Sequence, residues 1–384
     1  MDLYTEEEIK FRKEVRDWVK RNVEPIAEEV ERTNRYPREI FHELGKKGYI
    51  GSLFPPEYGG TGKGLVYDTI VGEELGKVCA SIDMSRCGHI LSNIPTIRFG
   101  SHELKLKYLK PMAKGEKIGA ICITEKNVGS DAAGMETTAK KDGDYYIING
   151  EKRFITNGSQ ADYLTVFAIT DPSVHAHVGM STFIVEADTP GVEVVEDFEL
   201  MGMRGCRNSH LKFTNVRVPK ENLVGKENQG FIQLMDELDT ERIVVTAACL
   251  GTAERALEIA AEYSAERIQF DRPIRKFEGV NFKIADMAVK IHAARLMLLR
   301  TARMIDRGMK VSKESAMTKL FLSEAAFEVS NMALQILGGI GYTKKYPVER
   351  FVRDLRISMI GAGSSEIMRF LIQREVYKEL LKKP

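Results

Sequence analysis

The chain has 384 residues, 43% of them hydrophobic, and its 56 Lys and Arg nearly balance 55 Asp and Glu, for a formal net charge of +1. That length exceeds one typical core and predicts two or three domains. The charges are interspersed, which excludes the basic stripe of a nucleic-acid-binding surface, and no stretch approaches the ~18 consecutive apolar residues of a membrane span.

The start, Met1-Asp-Leu-Tyr-Thr-Glu-Glu-Glu8, is acidic and helix-forming. It has neither the apolar stretch of a signal peptide nor the Arg and Ser bias of a transit peptide, so a cytoplasmic protein or a mature form is expected. Phe11, Val15, Trp18 and Val19 keep helical spacing behind a cap formed by Thr5 and the glutamates. Pro55, Pro56, Gly59, Gly60, Gly62 and Gly64 punctuate a loop, and further helices are predicted at 65–77, 81–98 and 102–112. Residues 1–118 therefore read as a helical domain.

Strand-like runs begin at Gly119: 119–124, 145–148, 152–156, 163–168, 182–185 and 210–218. Asn149-Gly150 predicts a hairpin turn, because a type I′ turn needs positive φ at both central residues. Residues 119–226 read as a central β domain, a barrel or sandwich closed by Pro219 and Gly225. From 227 to 384 helical periodicity returns, with Ile284, Met287, Ile291, Ala294 and Leu298 on one apolar face. The expected fold is α+β and multidomain: an N-terminal helical domain, a β domain and a C-terminal four-helix bundle. Cys79, Cys87, Cys122, Cys206 and Cys249 form no C-x-x-C pair and read as reduced packing residues. His175 and His177 lack further ligands nearby, so no metal is expected.

Six segments carry candidate chemistry. Thr124-Glu-Lys-Asn-Val-Gly-Ser-Asp131 and Phe154-Ile-Thr-Asn-Gly158 each end a strand in turn residues. Free N–H groups and hydroxyls there can hold an anionic or carbonyl-rich ligand, and a plain Asx turn serves equally well. Arg267-x-x-Phe270 lies between helices, and Gln335-Ile-Leu-Gly-Gly-Ile-Gly-Tyr342 closes one, where glycines also serve as a C-cap. Leu238-Asp-Thr-Glu-Arg-Ile243 opens a long helix, where acidic residues are also simply favoured. The last is Tyr346-Pro-Val-Glu-Arg-Phe-Val-Arg-Asp-Leu-Arg-Ile-Ser-Met-Ile-Gly-Ala-Gly-Ser-Ser-Glu-Ile367.

Taken together and in order, with Met203-x-Gly205 and Val218-Pro-x-x-Asn222, these segments resemble the acyl-CoA dehydrogenases over essentially the whole chain. The resemblance implies FAD, with Thr124 on the flavin ring, Ser130 at phosphate or substrate, Thr156 near flavin N5 and Phe154 over one ring face. It further implies Arg267, with Phe270 beside it, at the FAD pyrophosphate, and Gln335, Gly338 and Gly339 at the dinucleotide of a neighbouring subunit. Ser364 and Glu366 are also expected at the cofactor. Two departures stand out: Phe154 replaces the usual Trp, and Lys126-Asn-Val128 replaces Pro-Gly-Ala. A third is larger. Most members place a catalytic glutamate where this chain has Ala362. The isovaleryl-CoA and long-chain branches carry it instead in a Leu-Asp-x-Glu-Arg helix, with Gly or Ala at the usual position. This chain has both halves of that pattern, so Glu241 is expected to be the base, and the Ala362 backbone N–H to bind the thioester oxygen.

That chemistry requires burial to raise the carboxylate's pKa and a polarised carbonyl to acidify the α-proton. By the same alignment Asp239 and Arg242 lie near CoA. Gly361 replaces a bulky aromatic and leaves room for a branched, cyclic or bulky acyl group. Cys87 marks the expected pocket floor, and Arg86 either binds a second carboxylate of a benzylsuccinyl-type thioester or forms an i,i+3 surface pair with Asp83. The arginine of the glutaryl-CoA enzymes is absent near Ile82. The resemblance also implies a homotetramer that passes electrons to electron-transferring flavoprotein. A flavin-dependent oxidase or monooxygenase on the same fold is the alternative.

Overall fold

The computed structural model describes residues 3–381. Helix α1 (Glu6–Asn22) starts in a reciprocal cap: the Thr5 hydroxyl accepts from the Glu8 N–H at 3.2 Å, and the Glu8 carboxylate accepts from the Thr5 N–H at 2.8 Å. Then come α2 (Glu24–Thr33), α3 (Arg38–Lys46), α4 (Leu65–Gly76) and α5 (Ala80–Phe99). Short α6 (His102–Leu104) and α7 (Lys110–Ala113) flank a single π-turn.

The central strands are β1 (Gly119–Cys122), β2 (Thr138–Asp142), β3 (Tyr145–Thr156), β4 (Tyr163–Ile169), β5 (Met180–Glu186), β6 (Val192–Asp197) and β7 (Asn208–Pro219). They form one seven-stranded sheet in the order β1-β4-β2-β3-β7-β6, with β5 also on β4. A single pair, Thr138 with Ile169, joins β2 to β4. Asn149-Gly150 is not a hairpin. It lies inside β3, where the register against β7 shifts between Ile148 and Gly150, and the tight turn is Gly143-Asp144, since Asp142 pairs with Tyr145. The dipeptide signal is local, whereas β7 runs past it and pairs with β3 on both sides. Strands β2 and β6 were not expected, because both are mostly exposed and charged and lack an apolar alternation.

Helix α8 (Gly230–Glu266) is the longest, followed by the small β8 (Ile268–Gln269) and β9 (Arg272–Pro273) hairpin, α9 (Glu278–Asp306), α10 (Ser312–Leu337), α11 (Val348–Arg356) and α12 (Ser365–Leu380). Helices α4 and α8 cross at reciprocal glycines. A Cβ on Gly251 would lie 1.9 Å from the Glu73 carbonyl oxygen, and one on Gly76 2.2 Å from that of Ala248. Only glycine allows this approach, and it fixes α8 against the N-terminal helices.

Leu65, Val66, Ile70, Cys87 and Leu91 from the first third share one core with Ile243, Val244, Leu298, Leu322, Val329 and Phe351 from the last. Polar contacts reinforce the join. Fully buried Glu73 meets Arg12 at 2.9 Å and Arg295 at 3.2 Å. Asp306, ending α9, accepts the N–H groups of Leu65 (2.6 Å) and Val66 (3.1 Å) at the start of α4. The sheet has its own core, built around Ala120, Ile148, Val166, Phe183 and Leu211. All five cysteines are buried and free. No described helix is long and apolar enough to cross a membrane.

Candidate active site

Glu241 does not lie in the opening turn of its helix. Helix α8 begins at Gly230, so this residue sits about three turns in, where an N-terminal dipole no longer accounts for an acid. Burial pushes its carboxyl from the usual 4.5 up to about 7, against the opposing pull of Arg242 and Lys319. Arg242 pairs with Asp239 at 2.8 Å. Asp239 also accepts from the hydroxyls of Ser312 (2.7 Å) and Ser315 (3.1 Å), which ties the pair to the start of α10.

One turn before Glu241 stands Glu237, which sequence reading missed. It is 0% exposed, and neither of its carboxyl oxygens has a partner. Burial, then the charge of Glu241, hold it well above the carboxylate range.

The C-terminal signature approaches the same carboxyl through Lys319, also missed. This α10 lysine is fully buried, and its Nζ donates to the Gly363 carbonyl at 2.5 Å. Burial lowers its pKa to about 8, partly offset by Cys249 and Glu241. Ala362 is held at φ +55°, a left-handed conformation costly for a residue with a Cβ. Its N–H bonds to no backbone group among the described residues. A Cβ on Gly361 would meet only the Ile357 carbonyl oxygen at 3.7 Å, so the chain itself leaves space there. Ser364 caps α12 by accepting from the Ile367 N–H at 3.3 Å, and Glu366 lies exposed in its first turn.

The two strand-end loops are braced from beneath. Glu125 is 4% exposed and accepts the N–H groups of Glu136 (2.6 Å) and Thr137 (3.0 Å) and the ammonium of Lys152 (2.7 Å). Burial pushes this carboxyl up, but Lys152 and those donors outweigh it and leave it below its usual value. Lys152 also donates to the Ile123 carbonyl, next to Thr124. Buried Asn157 ties the second loop to α5 and β1, donating to the carbonyls of Ser85 (2.8 Å) and Gly119 (3.2 Å). Thr156 packs on α5 at Gly88. Phe154, at φ +56°, stands 58% exposed with its ring stacked on Phe198. Ser130 is exposed at the loop tip. Neither Glu125 nor Lys152 carries a spacing signal; their meaning lies in burial alone.

Arg267 ends α8 exposed, and Phe270, 87% exposed at φ +51°, tips the β8–β9 hairpin. Gln335 is exposed near the end of α10, and Gly338 and Gly339 have no atom within reach of an added Cβ. No ring contact or backbone hydrogen bond among the described residues joins this group to Thr124 or Phe154.

Arg86 must be reassigned. It is fully buried, with Asp68 and Asp83 each at 2.6 Å. The pair with Asp83 forms, though in the core rather than on the surface. A guanidinium already held by two carboxylates is closed to a third, and the diacid reading loses the residue it rested on. Cys87 lies beside it, its thiol 3.3 Å from Asp83 and 3.6 Å from the Val244 carbonyl. His175 and His177 are exposed, and no cluster of metal-ligating side chains occurs among the described residues.

Comparison with known proteins follows this layout. Models of the N-terminal, middle and C-terminal domains of acyl-CoA dehydrogenase match residues 5–116, 120–216 and 228–377. An acyl-CoA dehydrogenase of Bacillus subtilis is 40% identical over 371 residues, 96% of this chain and 98% of its own. A 3-(aryl)acrylate reductase of Clostridium sporogenes is 42% identical over 378 residues, 98% of this chain and 100% of its own. A chain from a structural study of the electron transferring flavoprotein of Acidaminococcus fermentans superposes with a TM-score of 0.95 at 39% identity, covering 100% of both chains.

Proposed function

Because this chain belongs to the acyl-CoA dehydrogenase family of flavoprotein oxidoreductases, we propose that it interconverts an acyl-CoA thioester and its α,β-enoyl form with Glu241 as the proton-transferring base. The observation that carries this is a half-buried Glu241 on a helix facing Lys319, whose ammonium holds Gly363, with desolvation raising its carboxyl to about 7. An α-proton is matched only by a base of raised pKa on a polarised thioester. The free N–H of Ala362 is the donor for the thioester oxygen.

The residues fit FAD. Phe154 offers an exposed ring face, Thr124 and Thr156 stand at braced strand ends, the exposed Arg267 can supply bidentate donors to a phosphate, and bare Gly338 and Gly339 admit a close backbone approach. When bound, the flavin supplies the acceptor for the β-hydride. The chain's own part is to place the thioester, remove the α-proton to Glu241 and exclude water. Open space at Gly361 supports a short, branched or bulky acyl group. The Asp239–Arg242 pair is assigned to the CoA arm.

Tetramerisation is supported by exposed apolar side chains on α9 (Phe282, Val289, Leu296) and α12 (Phe370, Tyr377, Leu380). Electron-transferring flavoprotein is the proposed electron partner. A second reading, enoyl reduction, is favoured by likeness to the arylacrylate reductase and by a carboxyl that exists in both protonation states at neutral pH. Anaerobic mixing with isovaleryl-, butyryl-, cyclic and aryl-substituted CoA thioesters tests the reading. Flavin bleaching without oxygen consumption is expected. No bleaching with any acyl thioester, together with no reoxidation of chemically reduced flavin by any enoyl thioester, overturns it.

A further inference from the structure

Two glutamates share one face of α8, Glu237 buried and Glu241 half-buried. Glu237 and Glu241 are four residues apart, so their Cβ atoms stand about 5–6 Å from each other on adjacent turns. Glu237 is the deeper, at 0% exposure, with both oxygens unpartnered, including toward Glu241. A buried ionised carboxylate without a donor is prohibitively costly, whereas the un-ionised acid needs only an acceptor for its proton. The surrounding charges are engaged elsewhere. On α8, Asp236 is bound by Arg98 from α5, and Arg242 by Asp239. Arg98 also donates to Thr240 at 2.8 Å, and Lys319 from α10 is committed to Gly363. Two acceptors stand one turn away on α8, the Gln233 side-chain oxygen, itself buried without a partner, and the carboxylate of Glu241, and only the second gains charge when the base ionises.

We propose that Glu237 is a positioning residue that stays un-ionised and, once Glu241 ionises, donates its O–H to that carboxylate, steadying the charged form of the base and its aim. The bond requires a rotamer change, since the two carboxyls do not meet in this structure. Acid-to-carboxylate hydrogen bonds are among the strong ones, and two carboxyls so placed do not both ionise. Burial and the neighbouring charge, which hold Glu237 well above the carboxylate range, agree with this assignment. The proposal rests on Glu241 being the base.

The test compares the FAD-loaded enzyme with its Glu237→Gln and Glu237→Met variants. One readout is the acid limb of the bleaching rate against pH. Methionine removes the donor, so the limb should move up by about one unit. Glutamine keeps an N–H donor and should leave the limb near wild type. A downward shift in Glu237→Gln would mean that an ionised neighbour had been removed, and overturns the proposal. An unmoved limb in both variants reduces Glu237 to packing and overturns it too. The second readout needs no turnover: the infrared carbonyl band of an un-ionised carboxylic acid near neutral pH, expected in wild type and in Glu241→Gln, where Glu241 cannot contribute to it, and absent from the Glu237→Gln/Glu241→Gln double variant. Its absence from wild type also overturns the proposal. If Glu241→Gln still bleaches while the band is present, the base assignment has failed and Glu237 is nonetheless neutral.

Discussion

Lys319 Nζ donates to the carbonyl of Gly363 at 2.5 Å from a fully buried position on α10. That one bond joins the two segments that share the chemistry. The amine acts on the Glu241 carboxyl, and its acceptor adjoins Ala362, whose N–H is assigned to the thioester oxygen. The proposed base and the proposed oxyanion donor lie more than a hundred residues apart, yet a single side chain references one to the other.

Replacing Lys319 with Met should loosen the 361–363 segment and raise the pKa of Glu241 by removing a nearby positive charge. The bleaching rate is expected to fall by up to ~100–1000-fold, the range for loss of an oxyanion donor, while FAD content stays near wild type. Stopped-flow reduction and the flavin-to-protein absorbance ratio measure both. Unchanged reduction would dismiss the role given to this lysine.

Reduction by substrate should rise with pH through about 7, as Glu241 changes from acid to base, and Glu241→Gln should abolish it while keeping thioester binding. Stability follows the opposite course. An acid with a raised pKa binds its proton more tightly when folded, so its contribution is full below about 4.5 and is lost as pH climbs to about 7. Lys319, lowered to about 8, adds stability only as pH rises beyond that value. These two groups therefore place a stability minimum between about 7 and 8, which thermal melting of wild type against the two variants will resolve.

Gly361→Tyr should fold, because an added Cβ meets nothing closer than 3.7 Å. The ring should fill the space assigned to an acyl branch. The ratio of kcat/KM for isovaleryl-CoA to that for butyryl-CoA is expected to drop by about tenfold or more. A ratio equal to wild type would show that Gly361 does not face the acyl group.

Lys152→Met leaves Glu125 buried without its cation. Breaking such a pair from one side costs about 3–5 kcal/mol, so Tm should fall, and the Thr124 loop should lose its grip on the cofactor. Melting curves and retained FAD report the two effects separately.

Much of this was legible beforehand, and the exceptions share a cause. Helices α1 and α9 and the long strands are written in local periodicity, and the proposal of Glu241 as base rests on its appearance being matched by the loss of a carboxylate at Ala362. What stayed hidden depends on the third dimension. Asn149-Gly150 reads as a turn until β7 pairs across it. Arg86 and Asp83 read as a surface pair until burial by α4 and α8 brings in Asp68. Glu237, Lys319, Glu125 and Lys152 look like ordinary solvated charges, and only the packing of α8, α10 and the sheet gives them their meaning.

The shared core between the first and last thirds has a kinetic consequence. Val66 and Ile70 pack against Val244 and Leu298, and the first N–H groups of α4 are satisfied by Asp306. A ribosome delivers the chain from one end. The leading helices can close a core of their own around Val15, Phe41, Leu75 and Ile90, but the face of α4 that meets α8 and α9 must wait uncovered until some 240 further residues have emerged, while the sheet between them can complete itself early. The newborn chain is most exposed to aggregation in that interval, and a chaperone would have most to do there.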